Sequence, residues 1–353
     1  MTSKRGPSQS KKKSAKIAPE NTVSAKRVFT ENALAIQLFG SHHTHLTRIE
    51  QKLGGTIHAR GNEVTISGMT DAVNSICVVL DNLYARLERG LTLDREEVEA
   101  ALRMIKAPNG KVSDGDVTIV TRKKRISPRS SMQAEYLRAI EQSELVFGQG
   151  PAGTGKTYLA VAMAVERLVN GDVDRIILSR PAVEAGEQLG FLPGDMREKV
   201  DPYLRPLYDA LHDMMPAEQV AKRMESGEIE VAPLAFMRGR TLAHAFVILD
   251  EAQNTTAVQM KMFLTRLGES SRMVITGDLS QVDLPRGIRS GLRDAIEVLD
   301  GVKGVKVISF GEEDVVRHPL VARIVHAYSS VEDKRRTGAR YEAEAEGDDK
   351  TKK

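Results

Sequence analysis

Leu145-Val-Phe-Gly-Gln-Gly-Pro-Ala-Gly-Thr-Gly-Lys-Thr157 decides how this chain is read. A short apolar run leads into G-x-x-x-x-G-K-T over Gly150, Pro151, Ala152, Gly153, Thr154, Gly155, Lys156 and Thr157. The helical pattern Tyr158-Leu-Ala-Val-Ala-Met-Ala-Val165 follows. Strand, glycine-rich loop and helix in that order form the setting in which such a loop cradles phosphate. Glycines let the backbone turn tightly, so that consecutive N–H groups converge on an anion. The helix adds the positive end of its dipole. Lys156 can bridge the β- and γ-phosphates of a nucleotide, and the Thr157 hydroxyl can ligate Mg²⁺. The plain alternative is a glycine-rich turn that fits by accident.

Around this loop, residues 128–330 alternate apolar runs with helical segments. The predicted strands are Glu144–Phe147, Arg175–Ser179, Ile229–Ala232, Phe246–Leu249, Met273–Thr276 and Lys306–Phe310. Helices between them give an α/β fold, a parallel sheet wound on both faces. The run Ala245–Leu249 ends in Asp250-Glu251. An Asp at a strand's C-terminal end, downstream of such a loop, can hold the hydration shell of Mg²⁺. Glu251 beside it can orient and deprotonate an attacking water. By themselves the two acids read equally as a helix N-cap. A third strand ends in Thr276-Gly-Asp-Leu-Ser-Gln281, and the Gln281 amide can hydrogen-bond the γ-phosphate or the lytic water.

That last arrangement resembles motif III of superfamily-one helicases. On the same resemblance Gln133, before the phosphate-loop strand, matches the glutamine that reads adenine, since one amide donates and accepts together. Alone it reads as a surface residue. No N-K-x-D guanine motif occurs, which favours ATP over GTP. Ser179-Arg-Pro-Ala-Val-Glu-Ala-Gly-Glu-Gln-Leu-Gly-Phe-Leu-Pro-Gly194, Phe236-Met-Arg-Gly-Arg-Thr241, Leu249-Asp-Glu-Ala-Gln-Asn254 and Asp314-Val-Val-Arg-His-Pro-Leu-Val321 complete the likeness. With the phosphate loop they closely resemble the PhoH family, in the YbeZ-type form with a KH-like N-terminal domain. The resemblance implies a RecA-like fold, ATP and Mg²⁺ as ligands, ATPase activity in the cytoplasm, and a role in RNA metabolism beside a YbeY-type endoribonuclease.

Fast hydrolysis in phosphate-loop motors generally needs an arginine on the transferring phosphoryl group, worth roughly 10³–10⁵ in rate. Superfamily-one helicases take theirs from a second RecA-like domain, whereas this chain reads as holding a single such domain. Arg317 is the first candidate, followed by Arg180, Arg238 and Arg240. Each reads equally as a salt bridge or an RNA phosphate contact. The expectation is a homo-oligomer, a ring with ATP sites at subunit interfaces, in which a neighbour or another partner brings the missing arginine.

Residues 27–90 read as a small α/β domain. Thr56–Ser67 has the pattern of a hairpin turning at Gly61-Asn62, and Asp71–Leu87 that of a long amphipathic helix. This order resembles a KH-type RNA-binding domain, whose GxxG loop clamps the nucleic-acid backbone. The matching place is Gly40-Ser41-His42-His43, which lacks the second glycine. The alternative is a degenerate KH fold used for protein contacts. His42, His43 and His45 have no nearby carboxylate or cysteine at ligand spacing and read as a polar loop. Residues 91–127 read as a linker holding a helix over Leu93–Met104 with Asp94 as N-cap, a turn at Pro108-Asn-Gly-Lys and a strand over Val117–Thr121. The basic run Arg122–Arg125 reads as a solvated edge or a phosphate contact. Residues 1–26 and 331–353 are charged and poor in apolar residues, which predicts disordered tails.

Composition bounds the alternatives. The 353 residues include 41% hydrophobic and only 4% aromatic side chains, so the core is aliphatic. The net charge of +3 gives no global basic field for nucleic acid. One cysteine, Cys77, excludes an internal disulfide and reads as a core thiol. No apolar stretch approaches membrane-spanning length, so the expectation is a soluble cytoplasmic protein. Three functions stay open: an RNA-dependent ATPase, with Arg180, Arg238 and the Gly40 loop tracking the strand; an ATP-operated switch that binds a protein such as a nuclease; and a small-molecule kinase. Glu251 beside Asp250 argues for water as the acceptor, against the kinase.

Overall fold

The computed structural model describes residues 22–106, 117–181, 196–285, 287–316, 320, 321 and 324. The chain divides into two compact units, Met1–Lys111 and Val112–Lys353. The basic tail before residue 22, the Pro108 turn, the stretch following Pro181, Arg317 and the acidic C-terminal tail lie outside the described residues.

The first unit runs β1 (Thr22–Val28), α1 (Asn32–Phe39), α2 (Thr44–Leu53), β2 (Thr56–Arg60), β3 (Glu63–Met69), α3 (Thr70–Glu88) and α4 (Arg95–Lys106). Strands β1 and β2 both pair antiparallel with β3. The β2–β3 hairpin turns at Gly61-Asn62, and the Asn62 amide donates to the Phe29 carbonyl at 2.7 Å, tying the turn to the end of β1. Val73, Ile76, Cys77, Leu80, Leu83, Tyr84 and Leu87 recur along α3 at helical spacing and cover the sheet. Burial pushes the Cys77 thiol above its ordinary pKa.

Two boundaries differ from the sequence reading. Strand β1 starts at Thr22, inside the stretch assigned to the N-terminal tail. Its order comes from the ladder with β3, Thr22 opposite Met69 through Val28 opposite Glu63. Local composition does not record such a partner. The segment 91–127 is not one linker. Val98, Ala101 and Leu102 of α4 join the core of the first unit, and the N–H of Glu97 donates to the Asp94 carboxylate at 2.9 Å, as expected of an N-cap. Ile119 and Ile126 join the core of the second.

The loop between α1 and α2 is built on three left-handed residues, Gly40 (φ 73°), His42 (φ 51°) and His43 (φ 61°). His43 stands where a second glycine would allow that conformation freely. For an L-residue it costs roughly 1–2 kcal/mol. The His43 ring packs edge-on against Phe39 at 5.8 Å, and its carbonyl accepts the Thr47 hydroxyl at 3.1 Å. These contacts offset part of the cost, so the loop keeps the glycine-like backbone without the glycine.

The second unit runs β4 (Ile119–Val120), β5 (Arg125–Ile126), α5 (Ser131–Gln142), β6 (Leu145–Gln149), α6 (Lys156–Asn170), β7 (Arg175–Arg180), α7 (Met196–Met214), α8 (Ala217–Glu225), β8 (Ile229–Pro233), β9 (Ala245–Leu249), α9 (Ala257–Leu264), β10 (Arg272–Gly277), α10 (Gly291–Val298) and β11 (Val305–Ser309). All six expected strands form one parallel sheet in the order β11-β6-β10-β9-β7-β8. Val146, Ile176, Leu178, Phe246, Ile248 and Val274 pack with α5–α8 on one face. Phe147, Ile177, Val247, Leu249, Met273 and Ile275 pack with α9 and α10 on the other. Burial on both faces makes the strands continuous apolar runs. Strand β10 lies between β6 and β9, so the C-terminal ends of all three meet along one edge.

The basic run Arg122–Arg125 caps the β4–β5 hairpin. The Lys123 ammonium donates to the His212 carbonyl at 2.7 Å, and Lys124 pairs with Asp213. Part of this run therefore anchors the hairpin to α7.

Candidate active site: a phosphate-binding cleft

Strand β6 delivers the chain into the glycine loop. Gly150 takes φ 141°, and a Cβ there would lie 2.5 Å from the Phe310 carbonyl oxygen, so glycine is required on two counts. Gly153 and Gly155 are also left-handed, and Gly155 starts α6. The loop is held from three sides. The Gly150 N–H donates to the Gly277 carbonyl at 3.1 Å, the Val316 N–H donates to the Gly153 carbonyl at 2.9 Å, and the Thr154 hydroxyl donates to the Pro151 carbonyl at 3.0 Å. The Lys156 ammonium reaches the carbonyls of Gly150 and Pro151 at 2.7 and 2.8 Å. It therefore lies within the curve of the loop. The cleft over this loop has a volume of about 910 Å³, and Ala152, Lys156, Thr157, Asp250, Glu251 and Gln281 all line it. That volume is sufficient for a nucleoside triphosphate.

Asp250 is 6% exposed at the end of β9. Its Oδ1 accepts two hydroxyls, Thr157 at 2.6 Å from the glycine loop and Thr276 at 2.7 Å from β10. One carboxylate oxygen is thus fixed by both flanking elements. Carboxylate and hydroxyl oxygens are the donor set that Mg²⁺ takes beside phosphate, so Thr157 and Asp250 fit that ion. Glu251 has a left-handed backbone, φ 52°, at the entry to a single 3-10 turn. Strain of this kind in a non-glycine residue gathers at functional sites. Its Oε2 accepts from the Gln253 amide at 2.6 Å, and its Oε1 lies 3.5 Å from the Arg180 guanidinium. Gln281 donates to Asp278 Oδ2 at 2.8 Å from the loop after β10.

Gln133, expected to read adenine, has both ends of its amide bonded within the protein. It is 4% exposed in the first turn of α5, its Oε1 accepts from the Arg129 N–H at 2.6 Å, and its Nε2 donates to the Thr154 carbonyl at 2.9 Å. The amide braces the back of the glycine loop. Among the described residues it does not line the cleft. The arginine candidates separate too. Arg180 lines the cleft and also donates to the Tyr203 carbonyl at 3.0 Å. Arg240 forms a two-pronged pair with Glu230, both distances 2.7 Å, which commits it to the fold. Arg238 is exposed. Arg317 lies outside the described residues.

Sequence reasoning assigned no role to Thr276, Gln253 or Tyr158. Tyr158 lines the cleft and donates to Asp213 at 2.8 Å. Burial, with that carboxylate second, raises its pKa. Burial pushes Asp213 upward, but hydrogen bonds from Lys124 and Tyr158 outweigh it and hold the carboxyl below its ordinary value. The only sequence signal for Thr276 was a hydroxyl at a strand end beside Gly-Asp.

The profile of the family described as "PhoH-like protein" matches residues 125–329. A PhoH-like protein of Bacillus subtilis (strain 168) is 51% identical over 298 residues, covering 83% of this chain and 93% of that one. The Protein PhoH of Escherichia coli (strain K12) is 53% identical over 206 residues, covering 58% of each chain. Among solved structures, the Pif1 helicase from Candida albicans aligns over 52% of this chain and 39% of that one, at 13% identity and a TM-score of 0.28. With its profile matched over more than half of the chain and half of the residues shared with a relative covered almost end to end, the chain belongs to the PhoH-like protein family.

Proposed function

We propose that this chain is a Mg²⁺-dependent ATPase whose hydrolysis is coupled to RNA binding or remodelling. The observation that carries the ATPase reading is the pair Thr157–Asp250 at 2.6 Å, with Lys156 and Glu251 lining the same cleft. Lys156 would hold the β- and γ-phosphates, and Glu251 would take the proton of the attacking water. Gln281 would contact the γ-phosphate. Mg²⁺, held by Thr157 and Asp250, would neutralise charge on the phosphate oxygens.

Support for the RNA half lies in the first unit. Its order β1-α1-α2-β2-β3-α3, with the Gly40 loop between α1 and α2, follows the KH-type arrangement. The loop borders an open cavity of about 730 Å³, which in this reading would take a nucleic-acid backbone. ATP turnover with and without single-stranded RNA tests the coupling. The expected result is a several-fold rise in turnover that fades steeply with salt, because phosphate contacts release counterions. Turnover indifferent to RNA at every salt concentration overturns it.

One observation favours a second reading. Arg180, assigned to strand tracking, is engaged inside the cleft by Glu251 and the Tyr203 carbonyl. An ATP-operated switch that binds a protein, such as a YbeY-type endoribonuclease, needs no arginine on RNA. RNA-independent turnover is the outcome that selects it.

The arginine acting on the phosphoryl group would be Arg180 from within, or one supplied by a second copy of the chain in a homo-oligomer. Mass in solution with and without ATP tests the oligomer. Assembly is expected to increase with ATP, and a strict monomer with full turnover removes the need for a neighbour.

A further inference from the structure

Gln253 lies two residues beyond Glu251 in the single turn Ala252–Asn254 and is 1% exposed. Its amide is committed in three directions. Nε2 donates to Glu251 Oε2 at 2.6 Å and to the Gln281 carbonyl at 3.2 Å, while Oε1 accepts the Asp278 N–H at 3.0 Å. One buried side chain therefore connects the acid at the end of β9 to both ends of the Asp278–Gln281 loop after β10. The surroundings are shaped to admit it, since a Cβ on Gly277 would lie 2.8 Å from Gln253 Oε1. A buried amide needs partners wherever it sits. Here its shortest bond holds a carboxylate that lines the cleft.

We propose that Gln253 is a positioning residue for ATP hydrolysis, which aims the Glu251 carboxylate at the attacking water and sets the Asp278–Gln281 loop at a fixed distance from it. The inference rests on the reading of Glu251 as the base. In the step concerned, Glu251 accepts a proton from water as the water oxygen bonds to the γ-phosphorus. The bond from that phosphorus to the β–γ bridging oxygen breaks, its electron pair leaves with ADP, and inorganic phosphate is the other product. Gln253 touches none of the reacting atoms. It acts through the direction of the carboxylate, where a misplacement of about 1 Å is worth on the order of 10²-fold in rate.

The test is a double-mutant cycle on the full-length chain with ATP as substrate. Gln253→Met keeps the length of the side chain and removes all three hydrogen bonds. Gln253→Glu keeps an acceptor for the Asp278 N–H and removes the donor to Glu251, so it remains informative if the methionine variant folds poorly. Each is expected to lower kcat by roughly 10–100-fold, with affinity for a fluorescent ATP analogue within about threefold. Combined with Glu251→Gln, each should lower the residual rate much less than it lowers the rate of the unaltered chain, because groups that act as a unit are not additive. A kcat within threefold of the unaltered chain overturns the proposal, as does an equal loss in both backgrounds, which marks a merely structural role. Undiminished turnover in Glu251→Gln alone removes the base reading instead, so the two failures are distinguishable.

Discussion

Glu251→Gln is expected to bind ATP like the unaltered chain and to hydrolyse it about 10²–10⁴-fold more slowly, the range for loss of a general base. That corresponds to about 3–5 kcal/mol of transition-state stabilisation. The substitution keeps the size of the side chain and an oxygen acceptor for Gln253, so the turn Ala252–Asn254 should persist. It removes the group able to take a proton and the ion pair with Arg180. Single-turnover hydrolysis beside equilibrium binding of ATP measures the two effects separately. Full turnover in this variant would show that Glu251 is not the base.

Lys156→Ala should fail at an earlier stage. Lys156 is 8% exposed, and its ammonium lies within reach of the Gly150 and Pro151 carbonyls, where bound phosphates also need charge. Without it, the glycine loop itself offers the triphosphate backbone N–H groups and the end of the α6 dipole, whose contribution is about 0.3–1 kcal/mol at an exposed site. Loss of one charged or preorganised donor to a transferring group costs on the order of 10²–10³-fold. A fall in kcat/KM of at least that size is expected, with ATP affinity reduced as well. Calorimetric titration with ATP and steady-state turnover give both numbers. Affinity and turnover within threefold of the unaltered chain would remove Lys156 from the phosphate site.

The central strands of the six-stranded sheet were legible because each is a buried parallel strand, apolar on both faces and closed by a chemically marked end. Leu145–Gln149 ends in glycines, Ala245–Leu249 in Asp250, and Arg272–Gly277 in Asp278. Strand β1 was not legible, since its mostly exposed residues gain their order from β3, about forty positions away in sequence. Helix α4 was visible as a helix but not as part of the first core. Periodicity reveals an apolar face without saying what covers it.

At the site, residue types were legible and partners were not. Gln133 carries the amide that an adenine reader needs, yet both ends of that amide are bonded within the protein. Arg180 and Arg240 are alike on paper. Arg180 lines the cleft from the end of β7, and Arg240, in the loop between β8 and β9, is paired with Glu230. Thr276 gains its meaning only when β10 lies beside β9, bringing its hydroxyl within 2.7 Å of Asp250.

Cys77 is the one cysteine of the chain and lies 6% exposed on the inner face of α3, its thiol pushed away from the reactive thiolate form. Maleimide dyes should therefore label cysteines introduced on the surface well ahead of it. A pair of dyes, one on each unit, would turn every ATP-driven change in their separation into a fluorescence signal, in a chain whose native sequence needs no prior removal of thiols.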